Sequence, residues 1–267
     1  MQLNDFLALL ERSAPLALAE EWDNPGLLIE PEGDEISRVL FALDCTLEVA
    51  REAKECGAQL VITHHPLFFK PVRRISRTAP DTAAAYMLIR NGIGLFAAHT
   101  NLDSVTGGVN DALAQAVGLV SVHALHLPDV PLDDDTQGIG RVGELPVPLT
   151  LEGFAQVVQS SLSASVRYGG APERIVRRVA VVGGSGGDFI PQAKAAGADV
   201  LLTGEVKHSH ALDAAALGLG LVEAGHCETE RVVLAPWIAG LQSALDTLQY
   251  KVDLLTAKSE RAPLVAP

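Results

Sequence analysis

Four stretches place histidine or carboxylate just after an apolar run: Thr63-His64-His65, His99 through Asp103, Thr203-Gly204-Glu205 and His226 through Glu230. Ligands in α/β proteins gather at the carboxyl ends of strands, so these four ends are where chemistry is expected. Three histidines with two acids drawn from these ends make a donor set suited to zinc, iron or manganese. It is too rich in nitrogen for calcium or magnesium alone. Neighbours on a strand point to opposite faces, so His64 and His65 need a loop geometry to face one cavity. With that geometry the set can hold two divalent ions roughly 3.5–4 Å apart, as in two-metal hydrolases. A carboxylate has two oxygens and a neutral imidazole one free lone pair, so Asp103 or Glu230 is expected to bridge.

Hydrolytic chemistry also needs a group that moves protons, and His99, His208 and Glu205 are the candidates. His210 reads as structural, and His123 and His126 as solvated loop residues. Cys227 has no cysteine partner at ligand spacing and reads as a buried thiol. The run Gly183-Gly184-Ser185-Gly186-Gly187 follows an apolar strand and precedes a helix expected to open at Asp188. Gly184, Ser185, Gly186 and Gly187 could therefore hold phosphate at a helix N-terminus, although a tight turn uses glycine equally well. Neither nucleotide-binding fingerprint is present in register. Glu21-Trp22-Asp23-Asn24-Pro25-Gly26-Leu27 is a turn signal with a large aromatic.

The elements that must position these residues come in two copies. Ala53-Lys54-Glu55-Cys56-Gly57-Ala58 leads into Gln59-Leu60-Val61-Ile62-Thr63, and Ala193-Lys194-Ala195-Ala196-Gly197-Ala198 into Asp199-Val200-Leu201-Leu202-Thr203. The same spacing separates the upstream runs Arg38–Ala42 and Arg178–Val182. Each copy predicts a buried strand, a helix, a glycine stop and another strand. Further on, Gly92–His99 matches Gly218–His226 at a shorter offset, and both end in His, three residues, then an acid. An extra loop around residues 66–79 in the first copy accounts for the difference. The pattern predicts an α/β chain of two similar lobes, 1–118 and 151–267, joined by an irregular connector at 119–150. Pro128-Asp129-Val130-Pro131 and Asp133-Asp134-Asp135 mark that connector. Helices are expected at Thr46–Glu55 with Thr46 as N-cap, at Asp188–Ala196 with Asp188 as N-cap, at 151–160 and at about 231–248, the last disturbed by Pro236.

Composition narrows the function classes. A chain of 267 residues, 48% hydrophobic and 20% charged, has the makings of a large core. A net charge of -13 disfavours nucleic acid or an anionic membrane as partner. Arg73, Arg74 and Arg77 form the one dense basic group and read as a solvated loop. The N-terminus lacks the basic region of a signal peptide, and no uncharged apolar run approaches the roughly 20 residues that span a bilayer. Three cysteines at unrelated spacings fit a reducing cytoplasm rather than a disulfide framework.

Taken together, Glu21–Leu27, Ile62-Thr63-His64-His65-Pro66-Leu67-Phe68-Phe69, His99-Thr100-Asn101-Leu102-Asp103, the Gly183–Gly187 run, Thr203-Gly204-Glu205 and Gly225-His226 with Glu230 resemble the NIF-three-like family. Its members are commonly called GTP cyclohydrolase 1 type 2 homologues. The resemblance spans nearly the whole chain. It implies a two-lobed α/β protein in its compact form, a homohexameric ring, and a dinuclear metal centre in the cleft between lobes. It also implies His64, His65, Asp103, His226 and Glu230 as ligands. His99 would stand beside the metals, either orienting a ligand or moving protons. The implied activity is hydrolysis of a nucleotide, with GTP the named candidate, opened at C8 of guanine by activated water. The other reading is a non-catalytic metal-binding ring that serves as a regulator or partner-binding scaffold.

Overall fold

Short apolar runs capped by glycine and threonine set the architecture, because each can be buried on both faces only inside a sheet. The structure, a computed structural model, describes residues 1–126 and 137–264, so the two acidic and proline-rich connector motifs lie outside the described residues. In chain order the elements are α1 (Leu3–Ser13), β1 (Gly26–Ile29), β2 (Arg38–Ala42), α2 (Leu47–Cys56), β3 (Leu60–Thr63), α3 (Ala83–Arg90) and β4 (Gly94–Ala97). There follow α4 (Thr100–Ser104), α5 (Val109–Ala116), β5 (Val120–His126), β6 (Ile139–Thr150), α6 (Leu151–Leu162), β7 (Arg167–Gly169) and β8 (Ile175–Val182). The chain closes with α7 (Ile190–Ala195), β9 (Val200–Thr203), α8 (His208–Ala216), β10 (Gly220–Glu223), α9 (His226–Arg231), α10 (Leu234–Thr247) and β11 (Asp253–Thr256).

Contacts divide the chain into two units. The first takes in Met1–Leu102 and the described residues from Leu234 onward; the second takes in the described residues of Asp103–Val233. In the first unit a five-stranded sheet runs β1-β4-β3-β2-β11. Strands β11, β2, β3 and β4 are parallel, and β1 is antiparallel at the edge. Leu40, Val61 and Leu95 from the sheet pack with Val49 and Ala53 of α2 and Leu88 of α3. In the second unit a six-stranded sheet runs β5-β6-β8-β9-β10-β7, with β8, β9 and β10 parallel. Its core joins Val179, Val181, Leu202 and Val222 to Leu151, Phe154 and Val158 of α6.

The local signals for α2 act as expected. The Thr46 side chain accepts from the Val49 amide, and Gly57 ends the helix at φ 71°. Helix α6 buries Leu151, Phe154 and Val158, the face its spacing predicts.

Three expectations need correction. The stretch read as an irregular connector contains β5 and β6 of the second sheet. It looked irregular because Pro146 and Pro148 interrupt β6, and the β6–β8 register shifts between Glu144 and Leu149, where a proline has no amide to give the ladder. The tail read with the second lobe instead returns to the first unit, where β11 pairs with β2 through Leu254 and Val39. Asp188 does not cap a helix; it lies in a single 3₁₀ turn, Gly187–Phe189, and α7 begins at Ile190 with Pro191 in its first turn. Among the described residues, no helix is long and apolar enough to cross a membrane.

Candidate metal centre

In the first unit, β3 ends at Thr63 and the chain turns as it leaves the sheet, with Thr63 Oγ1 donating to the His65 carbonyl at 2.8 Å. The turn brings both neighbouring imidazoles to one side, as the adjacent pair requires. Their ring centroids are 4.9 Å apart. His99, at the end of β4, joins them at 5.2 Å from His64 and 5.6 Å from His65. One ligand atom from each of the three lies within 4.8 Å of the others, so His64, His65 and His99 could hold an ion.

Each ring in this group is tied down by the same nitrogen. His64 Nδ1 meets the Ala98 carbonyl at 2.9 Å, His65 Nδ1 meets Asp44 Oδ1 at 3.0 Å, and His99 Nδ1 meets Asp23 Oδ1 at 2.8 Å. Carbonyls and carboxylates only accept, so Nδ1 carries the proton in each case and Nε2 keeps its lone pair. Such outer partners fix the tautomer and orientation of metal-binding histidines. The donor chemistry therefore fits a divalent ion.

Asp23 is the residue that sequence reading passed over as part of a turn. Its side chain is wholly buried, Oδ1 faces His99, and Oδ2 accepts from both the amide and the hydroxyl of Thr100. Burial disfavours its charge, but the hydrogen bonds from His99 and Thr100 outweigh that and lower the carboxyl from 3.8 to about 2.

The second unit assembles another polar group. His226 and Glu230 lie one turn apart on α9, with His226 Nε2 3.1 Å from Glu230 Oε1. His226 Nδ1 is 3.4 Å from Glu205 Oε1, beyond the end of β9. Glu230 is buried at 4% exposure. Thr229 beneath it accepts from the Gly184 amide at 3.1 Å and donates to the carbonyl of Gly225 or His226. Buried Asn110 links the same loop to Asp103: its Oδ1 accepts from the Gly183 amide at 2.9 Å, and its Nδ2 donates to the Asp103 carbonyl at 3.0 Å.

This arrangement revises several sequence expectations. The amides of Gly183, Gly184 and Gly186 donate to Asn110, Thr229 and Thr203, which favours the tight-turn reading of the glycine run. A Cβ on Gly187 would fall on the His210 ring, and one on Gly186 would press on Thr203 and Val182; Ser185 alone of the four points to solvent. Glu205 sits against His226, which suits orienting that imidazole. His208 is exposed at the first position of α8, as a solvated residue would be. Cys227 is only partly buried, and the Arg231 guanidinium donates to its sulfur.

Comparison with known proteins identifies the family. The profile of the Duf34/NIF3 (NGG1p interacting factor 3) family matches residues 1–263. The chain belongs to the NIF3 family. It is 37% identical over 264 residues to a Clostridium perfringens protein named "GTP cyclohydrolase 1 type 2 homolog", covering 98% of each chain. It is 32% identical over 240 residues to the Drosophila melanogaster "NIF3-like protein 1", covering 89% of this chain and 80% of that one. Among solved structures, a Bacillus cereus protein related to NIF3 superposes with a TM-score of 0.93 at 28% identity, covering 100% of this chain and 99% of that one.

In this NIF3-family chain the Asp23 carboxylate also contributes stability with a defined pH dependence. Its folded pKa of about 2 lies below the ordinary 3.8, so the contribution is present above the higher value and is lost as pH falls toward the lower one. Asp23→Asn should cost about 2 kcal/mol at neutral pH. Urea midpoints of wild type and variant should lie apart at pH 7 and converge only as pH falls to about 2. A gap that stays constant across that range would refute the assignment.

Proposed function

We propose that this protein is a metal-dependent hydrolase acting on a nucleotide, in which His64, His65, Asp103, His226 and Glu230 together hold two divalent ions, zinc, iron or manganese. The observation that carries this reading is that His64 and His65 are each tethered through Nδ1, which leaves Nε2 as the ligand nitrogen, in a group with His99 where one ligand atom from each lies within 4.8 Å of the others. The names of the curated relatives point to the same reaction class, and GTP is the named candidate substrate. The matching parallel strand-helix-strand runs β2-α2-β3 and β8-α7-β9 support descent of the two halves from one duplicated unit. The homohexamer implied by the family resemblance is part of the same proposal.

When bound, the ions would supply Lewis-acid activation of water near neutral pH. The chain's own part is orientation and proton transfer. Ala98, Asp44 and Asp23 hold the rings of the first unit. Thr229 and the Gly184 backbone support Glu230, and Glu205 steers His226. His99, backed by an ionised carboxylate, takes and returns a proton at Nε2.

Elemental analysis after reconstitution with zinc, manganese or iron should approach two ions per chain, and Asp103→Asn or Glu230→Gln should lose both. One ion or fewer in the reconstituted wild type would remove the dinuclear reading. Turnover across a nucleotide panel tests the rest: full occupancy without turnover would leave the regulator or scaffold reading, in keeping with a family described as an interacting factor.

A further inference from the structure

Two large aromatic side chains stand in water beside the histidine group. Trp22 is 62% exposed and Phe69 is 48% exposed. Their rings are close to parallel, 21° apart with centroids at 6.5 Å. Both also meet His99 edge-on, Trp22 at 6.0 Å and Phe69 at 5.3 Å.

Neither aromatic is on a loose segment. Trp22 precedes buried Asp23, whose amide donates to the Glu20 carbonyl at 3.0 Å. Phe69 follows Phe68, which packs against the core of the first unit. Asn24 Nδ2 ties the two segments together through the Phe68 carbonyl at 2.6 Å. Exposed apolar surface is costly to maintain in water, and when it is fixed next to polar chemistry it marks a binding surface.

The loop that carries Phe69 also carries the basic residues that the sequence reads as a solvated loop. Lys70, Arg73, Arg74 and Arg77 are all exposed there, in a chain whose net charge is -13. A flat ring joined to an anionic group matches this pairing of stacked aromatics and cations.

We propose that Trp22 and Phe69 form a stacking ledge for a planar heteroaromatic ring bearing phosphate, with the Lys70–Arg77 loop meeting the phosphate. This deepens the hydrolase reading and rests on it for the direction in which the ring presents its edge, toward His99. In this proposal the phosphate is met by this loop and not by Gly184–Gly187, for which the sequence left a tight turn equally open.

The test is calorimetric titration of the full-length, metal-loaded protein with guanosine 5′-monophosphate, guanosine and ribose 5-phosphate. Wild type should bind the nucleotide and, more weakly, the nucleoside, and bind ribose 5-phosphate poorly. Trp22→Ala should weaken nucleotide binding roughly tenfold or more, the usual scale of one lost base–aromatic stack, with metal content unchanged. Trp22→Phe should recover most of the affinity. The double substitution Arg73→Ser with Arg74→Ser should weaken the nucleotide and leave guanosine unaffected. Nucleotide binding that ignores Trp22→Ala, no nucleotide binding by wild type, or equal binding of ribose 5-phosphate would overturn the ledge. So would a Trp22→Ala variant whose assembly mass changes while its affinity does not, since the aromatics would then be an interface between copies. Turnover separates the two proposals. Trp22-dependent binding with no turnover sinks the hydrolase and keeps the ledge; turnover insensitive to Trp22→Ala does the reverse.

Discussion

Replacing His99 by alanine is expected to lower turnover roughly 10²–10⁴-fold, the usual range for a lost general acid or base, while both metal ions stay bound. The expectation follows from what holds the imidazole. Asp23 is ionised far below neutral pH and can only accept, so the His99 proton on Nδ1 is fixed and Nε2 is the atom left for proton transfer. His99 belongs with His64 and His65 to a group in which one ligand atom from each lies within 4.8 Å of the others, so in the proposed reaction it stands beside the metal rather than remote from it. The same geometry defines the competing outcome. If His99 is itself a ligand, the variant will lose an ion, and its turnover will fall in proportion to metal content. Measuring kcat and metal content on the same preparation separates the two. A variant with full occupancy and unchanged kcat would end both assignments. Asp23→Asn should shift activity in the same direction by a smaller factor, because the amide can still engage Nδ1 but no longer dictates which nitrogen carries the proton.

How far these assignments could be read from sequence depends on the range of the interactions involved. The parallel strands β3, β4 and β9 were legible because strands buried on both faces are continuous apolar runs, and β3 and β4 deliver His64 and His99 at their carboxyl ends. The Thr46 cap and Gly57 stop were legible because they act within one turn. Strand β11 was not, because its pairing with β2 joins Asp253 to Arg38, and local composition carries no trace of a partner that distant. Asp23 was missed for a related reason. Its partner His99 is 76 residues away, and in isolation an Asp before Asn-Pro-Gly reads as a turn former. The glycine run was left open by the sequence for a different reason. Glycine permits both an anion cradle and a close approach of packed atoms, and only the positions of Thr203, His210 and Glu230 decide between them.

That close approach sets the second large effect: Gly184→Ala should empty the metal centre although the new methyl group touches no ion. Gly184 sits at φ +62°, which an alanine adopts only at a cost of roughly 1–2 kcal/mol. Its backbone cannot swing away cheaply. The amide donates to Thr229 at 3.1 Å, and the carbonyl accepts from the amides of Gly204 at 2.8 Å and Glu205 at 3.0 Å. A Cβ held there would fall on the Glu230 carboxylate and stand 3.1 Å from His226 Nε2. Glu230 is buried, so its carboxylate has little room to retreat, and displacing it removes the two-oxygen donor that the proposed centre requires. Far-ultraviolet circular dichroism should show a folded chain with a lower melting temperature, and elemental analysis should show both ions lost. Ser185→Ala, next along the chain but facing solvent, should leave stability and metal content at wild-type levels. A Gly184→Ala protein that keeps full metal occupancy would mean that Glu230 is not a ligand, whatever its turnover.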